Sequence, residues 1–317
     1  MSARAPANPA VLRNLDRLAA ERGISLAHDA SLAPLTTLRV GGAADRMIAV
    51  QTRDELLGAL RLARDASCPW FVLGNGSDLV VADAGIRGLV IRNRARSVAV
   101  EAPRVAADAG APMALLVRTA TAAGLAGLEF GTSIPGTLGG AVWANAGAHG
   151  AEMRDVVAQV EAWDPHDDSS ATLAGDDCAF AYRESRFKHG PEVVLSATLA
   201  LGTDEPTAIA ARVAANHAQR VATQPLAEQN AGSVFRNPPG DHAGRLIDAA
   251  GLKGLRVGGA SVSERHANFI VADRGASAVD VRVLGERVRE AVHARFGIGL
   301  EFEIEFVGDW APSGEAP

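Results

Sequence analysis

Three glycine-bearing turns mark the first half of the chain: Gly41-Gly42, GNGS at Gly74 to Ser77, and GTSIPGTLGG at Gly131 to Gly140. Glycine leaves backbone N–H groups unshielded, and clustered N–H groups hold a pyrophosphate or the edge of a flat ring. In the longest run Pro135 sets one dihedral, while Gly136, Gly139 and Gly140 remove side chains where a helix would begin. The segment continues as AVWANAGAHG, with Gly147 and Gly150. It is not a P-loop, because no lysine follows the second glycine of GxxxxG. It is not the Rossmann GxGxxG, and no β-α-β pattern surrounds it. GNGS contains GxG without the third glycine. Each run alone reads as a tight turn; together they read as a cradle for a dinucleotide held outside a Rossmann fold.

Composition narrows the remaining chemistry. The chain has 317 residues, 48% of them apolar, a length suited to two or three compact units. A formal charge of −6 gives no basic stripe for nucleic acid or membrane, so an anionic substrate must meet local cations. Cys68 and Cys178 stand in no CxxC pair and near no histidine cluster, which argues against a disulfide framework or a metal site. They read as reduced, buried thiols. MSARAPANPA lacks an apolar signal core and no stretch of about 18 apolar residues occurs. The expected location is the cytoplasm.

The elements that must carry the glycine turns follow from local signals. Asn8-Pro9 predicts a helix to about Glu21, stopped by Gly23. Thr52 and Glu55 form a capping box before a helix with Leu56, Leu57 and Leu60 on its apolar face. Trp70 to Leu73 reads as a strand entering GNGS, and a helix runs from about Pro112 to Gly124. Strands follow at Val156 to Trp163 and Val193 to Leu199, giving an α+β pattern without regular β-α-β alternation. Gly202 to Pro206 reads as a linker, followed by a helix from Thr207 to Val221. NAGSVFRNP reads as a loop. A helix around Leu246 to Ala250 and a strand from Asn268 to Val271 come next. A last helix carries Val281, Leu284, Val288 and Val292 on one face. LEFEIEFVG reads as one alternating strand, with Glu301, Glu303 and Glu305 on one side. The tail APSGEAP reads as mobile.

TLRVGG, LGNGSDL, GLEFGTSIPGTLGGAVWANAGAHG, YRESRF, NAGSVFRNP, GLKG, GGASVS, HANFIV and LEFE occur in an order that resembles UDP-N-acetylenolpyruvoylglucosamine reductases, from about Thr37 to Gly308. The resemblance implies a vanillyl-alcohol-oxidase-type FAD-binding fold in two subdomains, split near residue 70, plus an α+β substrate-binding domain. The FAD-binding region would span 1–203, rejoined by 303–317, and the substrate domain 206–302. The implied reaction reduces the enolpyruvyl ether of UDP-N-acetylglucosamine enolpyruvate to UDP-N-acetylmuramate for peptidoglycan. Electrons come from NADPH through non-covalent FAD. A monomer without nucleic-acid or membrane partners is expected.

The resemblance also assigns roles to residues whose types alone admit plainer ones. Ser233 matches the proton donor, Arg183 the arginine that holds the substrate carboxylate, and Glu303 the catalytic glutamate, expected to be pushed toward its protonated form. By themselves they read as a loop serine, a surface arginine paired to Glu184 and part of an exposed acidic face. Arg186 keeps that surface-pair reading, and Lys188 reads as solvated. Tyr182, Asn237, Lys253 and His266 match substrate positions, with Lys253 at the diphosphate. Arg39, Gly41, Gly42, Gly74, Asn75, Gly76, Ser77, Asp78, Gly131, Thr132, Ser133, Ile134, Pro135, Gly136, Gly139, Gly140, Ala141, Asn145 and Gly147 match the FAD cradle. The chain departs from the family's common residues at Asp78, His149 and Ala272. Its only tyrosine lies in YRESRF, which resembles the subgroup lacking an inserted tyrosine loop.

Overall fold

The computed structural model describes residues 8–310, so the tail APSGEAP lies outside the described residues. Helix α1 (Pro9–Glu21) starts where Asn8 Oδ1 accepts the Ala10 N–H, and it buries Leu15 and Ala19. Helix α2 (Arg53–Asp65) starts at Thr52, whose hydroxyl accepts the Glu55 N–H at 3.1 Å. The Glu55 carboxylate returns to the Gln51 N–H, one residue earlier than a standard capping box. The two helices pack together beside a four-stranded sheet ordered Ala27–Ser31, Ala43–Val50, Ile86–Asn93, Trp70–Leu73, whose last three strands are parallel. The sequence Ala43–Val50, α2, Trp70–Leu73 is one β-α-β unit, not a repeating alternation.

The next unit is an antiparallel sheet ordered Ser169–Ala174, Val157–Asp164, Val193–Ala200, Arg104–Asp108, Val98–Glu101. Helices α3 (Met113–Ala122) and α4 (Leu138–Ala144) share its core, which buries Leu116, Leu138, Val142, Val160 and Leu199. The expected linker is itself paired: Gly202–Thr203 forms a short ladder with Leu125–Ala126. Pairing satisfies backbone groups that an open linker would leave to water. Helix α5 (Pro206–Thr223) then lies along α3 and the turn Glu129–Ser133, burying Ile209 and pairing Arg212 with Glu129 and Asp204.

A third core surrounds the sheet ordered Gln229–Ser233, Phe269–Ala272, Ala260–Val262, Arg256–Val257. The expected loop NAGSVFRNP therefore begins as strand. Helix α6 (Ala243–Ala249) and helix α7 (Ala278–Phe296) cover this sheet. Val281, Leu284, Val288 and Val292 are all buried, as their spacing predicts, and Gly297 ends α7 in the left-handed region. The α7 N-terminus is tied to the first unit, because the Asp83 carboxylate accepts the Ala278 and Val279 N–H groups at 2.8 and 3.1 Å.

LEFEIEFVG is not one strand. Phe302 bridges Phe235 in the third unit, whereas Glu305–Val307 runs parallel to Leu79–Val81 in the first. Between them the chain passes from that isolated bridge to a strand pair, so its backbone partners change although its side-chain alternation persists. Gly41 lets the loop before Ala43–Val50 pack directly on the Leu79–Val81 strand that the C-terminal segment joins. A Cβ there would lie 2.6 Å from Val81 Cβ, and its φ of +113° suits only glycine. Gly41→Ala is expected to cost about 2–4 kcal/mol. A thermal melt should show a fall of several degrees; an unchanged melt would mean the two segments can separate freely.

Candidate active site

A cavity of about 1990 Å³ opens between the units. Single-ligand pockets typically hold about 300–1,000 Å³, so it has room for a dinucleotide and a second ligand. Its walls include Arg39, Gly74, Asn75, Gly76, Ser77 and Asp78 from the first unit. The second unit adds Ser133, Ile134, Pro135, Gly136, Gly139, Gly140, Ala141 and Gly147, and the far side carries Ser233 and Glu303.

The two main glycine runs meet there. Asn75 Nδ2 donates to the Pro135 carbonyl at 2.9 Å, and the Gly76 carbonyl accepts the Thr37 N–H at 2.9 Å. Gly76 has φ +62°, which bends the loop. Among the described residues, the N–H groups of Asn75, Gly76, Ser77 and Asp78 meet no acceptor. Four successive free donors on a cavity wall form a nest for an anion. The α4 end differs from the expectation of free donors. The Leu138 and Gly139 N–H groups are spent on the Ala111 and Ala109 carbonyls, because α4 docks tightly on the preceding loop. Gly139 is needed for that docking, since a Cβ would come within 2.9 Å of Ala109 Cβ. At Gly140 the closest atom to an added Cβ would be Thr137 Oγ1 at 3.7 Å, so this glycine keeps open surface toward the cavity. The donor nest, the open glycine face and the cavity size fit a dinucleotide such as FAD.

Other cradle residues do not reach the wall. Gly41 and Gly42 pack against Val81 and Asp83, while Gly131 faces Met113 and Val117. Thr132 lies in the Glu129–Ser133 turn and is absent from the cavity lining. Asn145 is fully buried, donating to the Ala181 carbonyl at 2.8 Å and accepting the Arg154 N–H at 2.9 Å. It thus anchors the segment carrying YRESRF. His149 does line the cavity, with Nε2 2.8 Å from the Ser133 hydroxyl.

Arg183, Ser233 and Glu303 line the same cavity. Arg183 Nε donates to Glu303 Oε1 at 2.7 Å, and its Nη2 donates to the Gly147 carbonyl at 3.0 Å. Burial opposes the Arg183 charge, but the Glu303 charge and hydrogen bond outweigh it and hold the guanidinium above its ordinary value. Glu303 here is an acceptor. Arg183 sits at φ +56°, an uncommon conformation for a long side chain, of a kind that concentrates at functional sites. The Glu303 N–H donates to the Val234 carbonyl at 2.8 Å, which sets Glu303 beside the Ser233 segment.

Lys188 is not solvated as its sequence context suggests, because its side chain is only 8% exposed. Nζ lies 3.0 Å from Glu305 Oε1 and 4.4 Å from the Trp143 ring centre. Arg186 pairs with Glu192, not Glu184, because Glu184 is held by Arg236 and His189. Glu301 is exposed, whereas Glu303 and Glu305 face cations. The alternation of LEFEIEF with two cations in YRESRFK was the available signal for this second pair.

Asp78 completes the cluster. Burial, then the charges of Glu303 and Glu305, push its carboxyl well above the usual carboxylate range, only partly offset by Lys188 and Arg183. Of the four residues matched to substrate positions, Asn237, Lys253 and His266 surround α6, while the Tyr182 ring lies 5.0 Å from the Arg183 guanidinium and links the two groups. The Asn237 N–H donates to the Tyr182 hydroxyl at 3.3 Å, and its Oδ1 accepts the Ala243 N–H at 3.0 Å. Lys253 pairs with Asp248 at 3.0 Å. Burial and then Lys253 lower the His266 pKa, and its Nδ1 accepts the Asn268 N–H.

Residues 44–168 match the FAD binding domain family model. With the cradle and the α+β architecture, this defines an FAD-dependent oxidoreductase with the vanillyl-alcohol-oxidase type of fold. Residues 224–307 match the C-terminal domain of UDP-N-acetylenolpyruvoylglucosamine reductase. Enzymes of that name from Moorella thermoacetica and Symbiobacterium thermophilum are 47% and 45% identical, covering 86% and 87% of this chain and 90% and 91% of their own. The crystal structure of the reductase from Thermus caldophilus superposes with a TM-score of 0.77 at 38% identity, over 89% of this chain and 98% of that one. The chain belongs to the UDP-N-acetylenolpyruvoylglucosamine reductase family.

Proposed function

We propose that this enzyme reduces UDP-N-acetylglucosamine enolpyruvate to UDP-N-acetylmuramate in peptidoglycan synthesis, with non-covalent FAD and NADPH as the reductant. The observation that carries the reading is the convergence of Arg183, Ser233 and Glu303 on the cavity that holds the glycine cradle. FAD, when bound, supplies the hydride for the enolpyruvyl double bond. The protein's own task is to place the substrate, stabilise the charge that develops toward its carboxylate, and protonate the adjacent carbon.

Arg183 suits the carboxylate. Two of its donors are committed to Glu303 and Gly147, which leaves the Nη1 edge for a substrate oxygen. Ser233 is the proposed proton donor. Its hydroxyl is a weak acid, so neighbouring groups must stabilise the alkoxide left behind. The unit of 206–302 supplies the substrate side through Ser233, Asn237, Lys253, Tyr182's partner loop and His266, while 1–203 with 303–317 supply the cradle. The same reading makes the enzyme a cytoplasmic monomer.

The decisive assay is NADPH oxidation by the yellow purified protein, with and without the enolpyruvyl substrate. Oxidation that does not depend on that substrate would leave a different flavin oxidoreductase of the same fold. Lys253 reports on the diphosphate separately. Its partial exposure and single pair with Asp248 leave it free to exchange partners at little cost. Lys253→Ala should raise the KM for the UDP substrate roughly tenfold with kcat nearly unchanged. An unaltered KM would remove Lys253 from the substrate site.

A further inference from the structure

The wall around Asp78 holds three carboxyl groups and two cations. Arg183 is committed to Glu303 at 2.7 Å and Lys188 to Glu305 at 3.0 Å. The cations are thus paired off. Among the described residues, the Asp78 side chain has neither an ion-pair nor a hydrogen-bond partner, although it lines the cavity. Its backbone cannot withdraw it, because the Asp78 carbonyl accepts the Glu305 N–H at 3.0 Å and ties the loop to the C-terminal strand. The charges reaching it are Glu303 and Glu305 from that segment, and Lys188 and Arg183 from YRESRFK. Asp78 is also the last residue of the free-donor nest, so an anion held there would face it.

An ionised carboxylate in that position would repel both the acidic pair and the bound anion. A protonated one removes the repulsion and adds a donor to the nest. We propose that Asp78 is a neutral, proton-bearing carboxyl that donates a hydrogen bond to the anionic part of the bound cofactor, so that cofactor retention weakens when this proton is lost. The inference rests on FAD occupying the Gly74–Asp78 loop.

Flavin-loaded full-length protein, diluted across about pH 5 to pH 9, tests it through the fluorescence of released FAD. In the unsubstituted protein the fraction released should rise with pH, and the dissociation constant should steepen toward about tenfold per pH unit once Asp78 ionises. Asp78→Asn keeps a neutral donor, so it should hold FAD as the original does at the acidic end and show little slope. Lys188→Met removes an offsetting cation and should move the midpoint to higher pH. Stability carries the same sign. A carboxyl whose folded pKa is raised binds its proton more tightly in the folded state, so stability falls as pH rises from the ordinary carboxylate range toward that raised value. The thermal midpoint of Asp78→Asn should therefore decline less over that window.

Retention that ignores pH in the unsubstituted protein, a preserved slope in Asp78→Asn, or FAD loss from Asp78→Asn at every pH would each overturn the inference. So would a midpoint in Lys188→Met that stays put or falls. A purified protein without flavin would instead overturn the functional reading on which it rests.

Discussion

The Ser233→Ala protein is expected to keep flavin reduction by NADPH within about a factor of two while reducing substrate about 10²–10⁴-fold more slowly. The two half-reactions separate because they need different groups. Reducing the flavin needs the cradle, and Ser233 lies outside it, on the strand Gln229–Ser233 paired with Phe269–Ala272. Reducing the substrate also needs a proton at carbon. The substitution removes one oxygen from a half-buried position and leaves the backbone ladder intact, so folding should be nearly unaffected. Stopped-flow absorbance of the flavin, mixed first with NADPH and then with substrate, reads both halves. Normal turnover in the second half would assign the proton to another group.

The second large effect concerns Arg183. Arg183→Met removes the charge but keeps most of the side-chain volume, and kcat/KM for the enolpyruvyl substrate should fall about 10²–10³-fold. Two losses combine. The substrate carboxylate loses its cation, and Glu303 is left without its partner in a site where both side chains are about a fifth exposed, at 19% and 18%. Arg183→Lys should recover little, because one ammonium cannot reproduce the fork that engages both Glu303 and the Gly147 carbonyl. Glu303→Gln in the Arg183→Met background separates the terms. If the stranded carboxylate causes part of the loss, the double variant should be less impaired than the two single effects multiplied. A kcat/KM in Arg183→Met close to the original would exclude the carboxylate-holding role.

Much of the frame was legible because its signals are local. Asn8-Pro9 and Thr52/Glu55 start helices through bonds that span two to four residues, and the α7 stripe follows from helical period. The glycine runs announced a cradle because glycine changes the backbone beside it. What they could not announce is which N–H groups remain free. Those of Leu138 and Gly139 are taken by a loop almost thirty residues earlier, while those of Asn75 to Asp78 are not.

The sequence by itself determined most of the elements, the glycine runs of the cavity wall and, through its ordered motifs, the family. Only the tertiary structure decided the charge pattern of the site. Arg183 meets Glu303 across 120 residues and Lys188 meets Glu305 across 117. These pairs exist because the C-terminal chain leaves its bridge with Phe235 at Phe302 and joins Leu79–Val81, carrying its glutamates past YRESRFK and Asp78. Dihedral preferences and periodicity act over a few residues, whereas a carboxyl's protonation depends on every charge within several ångströms, whatever its place in the chain. The motif could therefore name the Asp78 position, but not whether that carboxyl carries its proton.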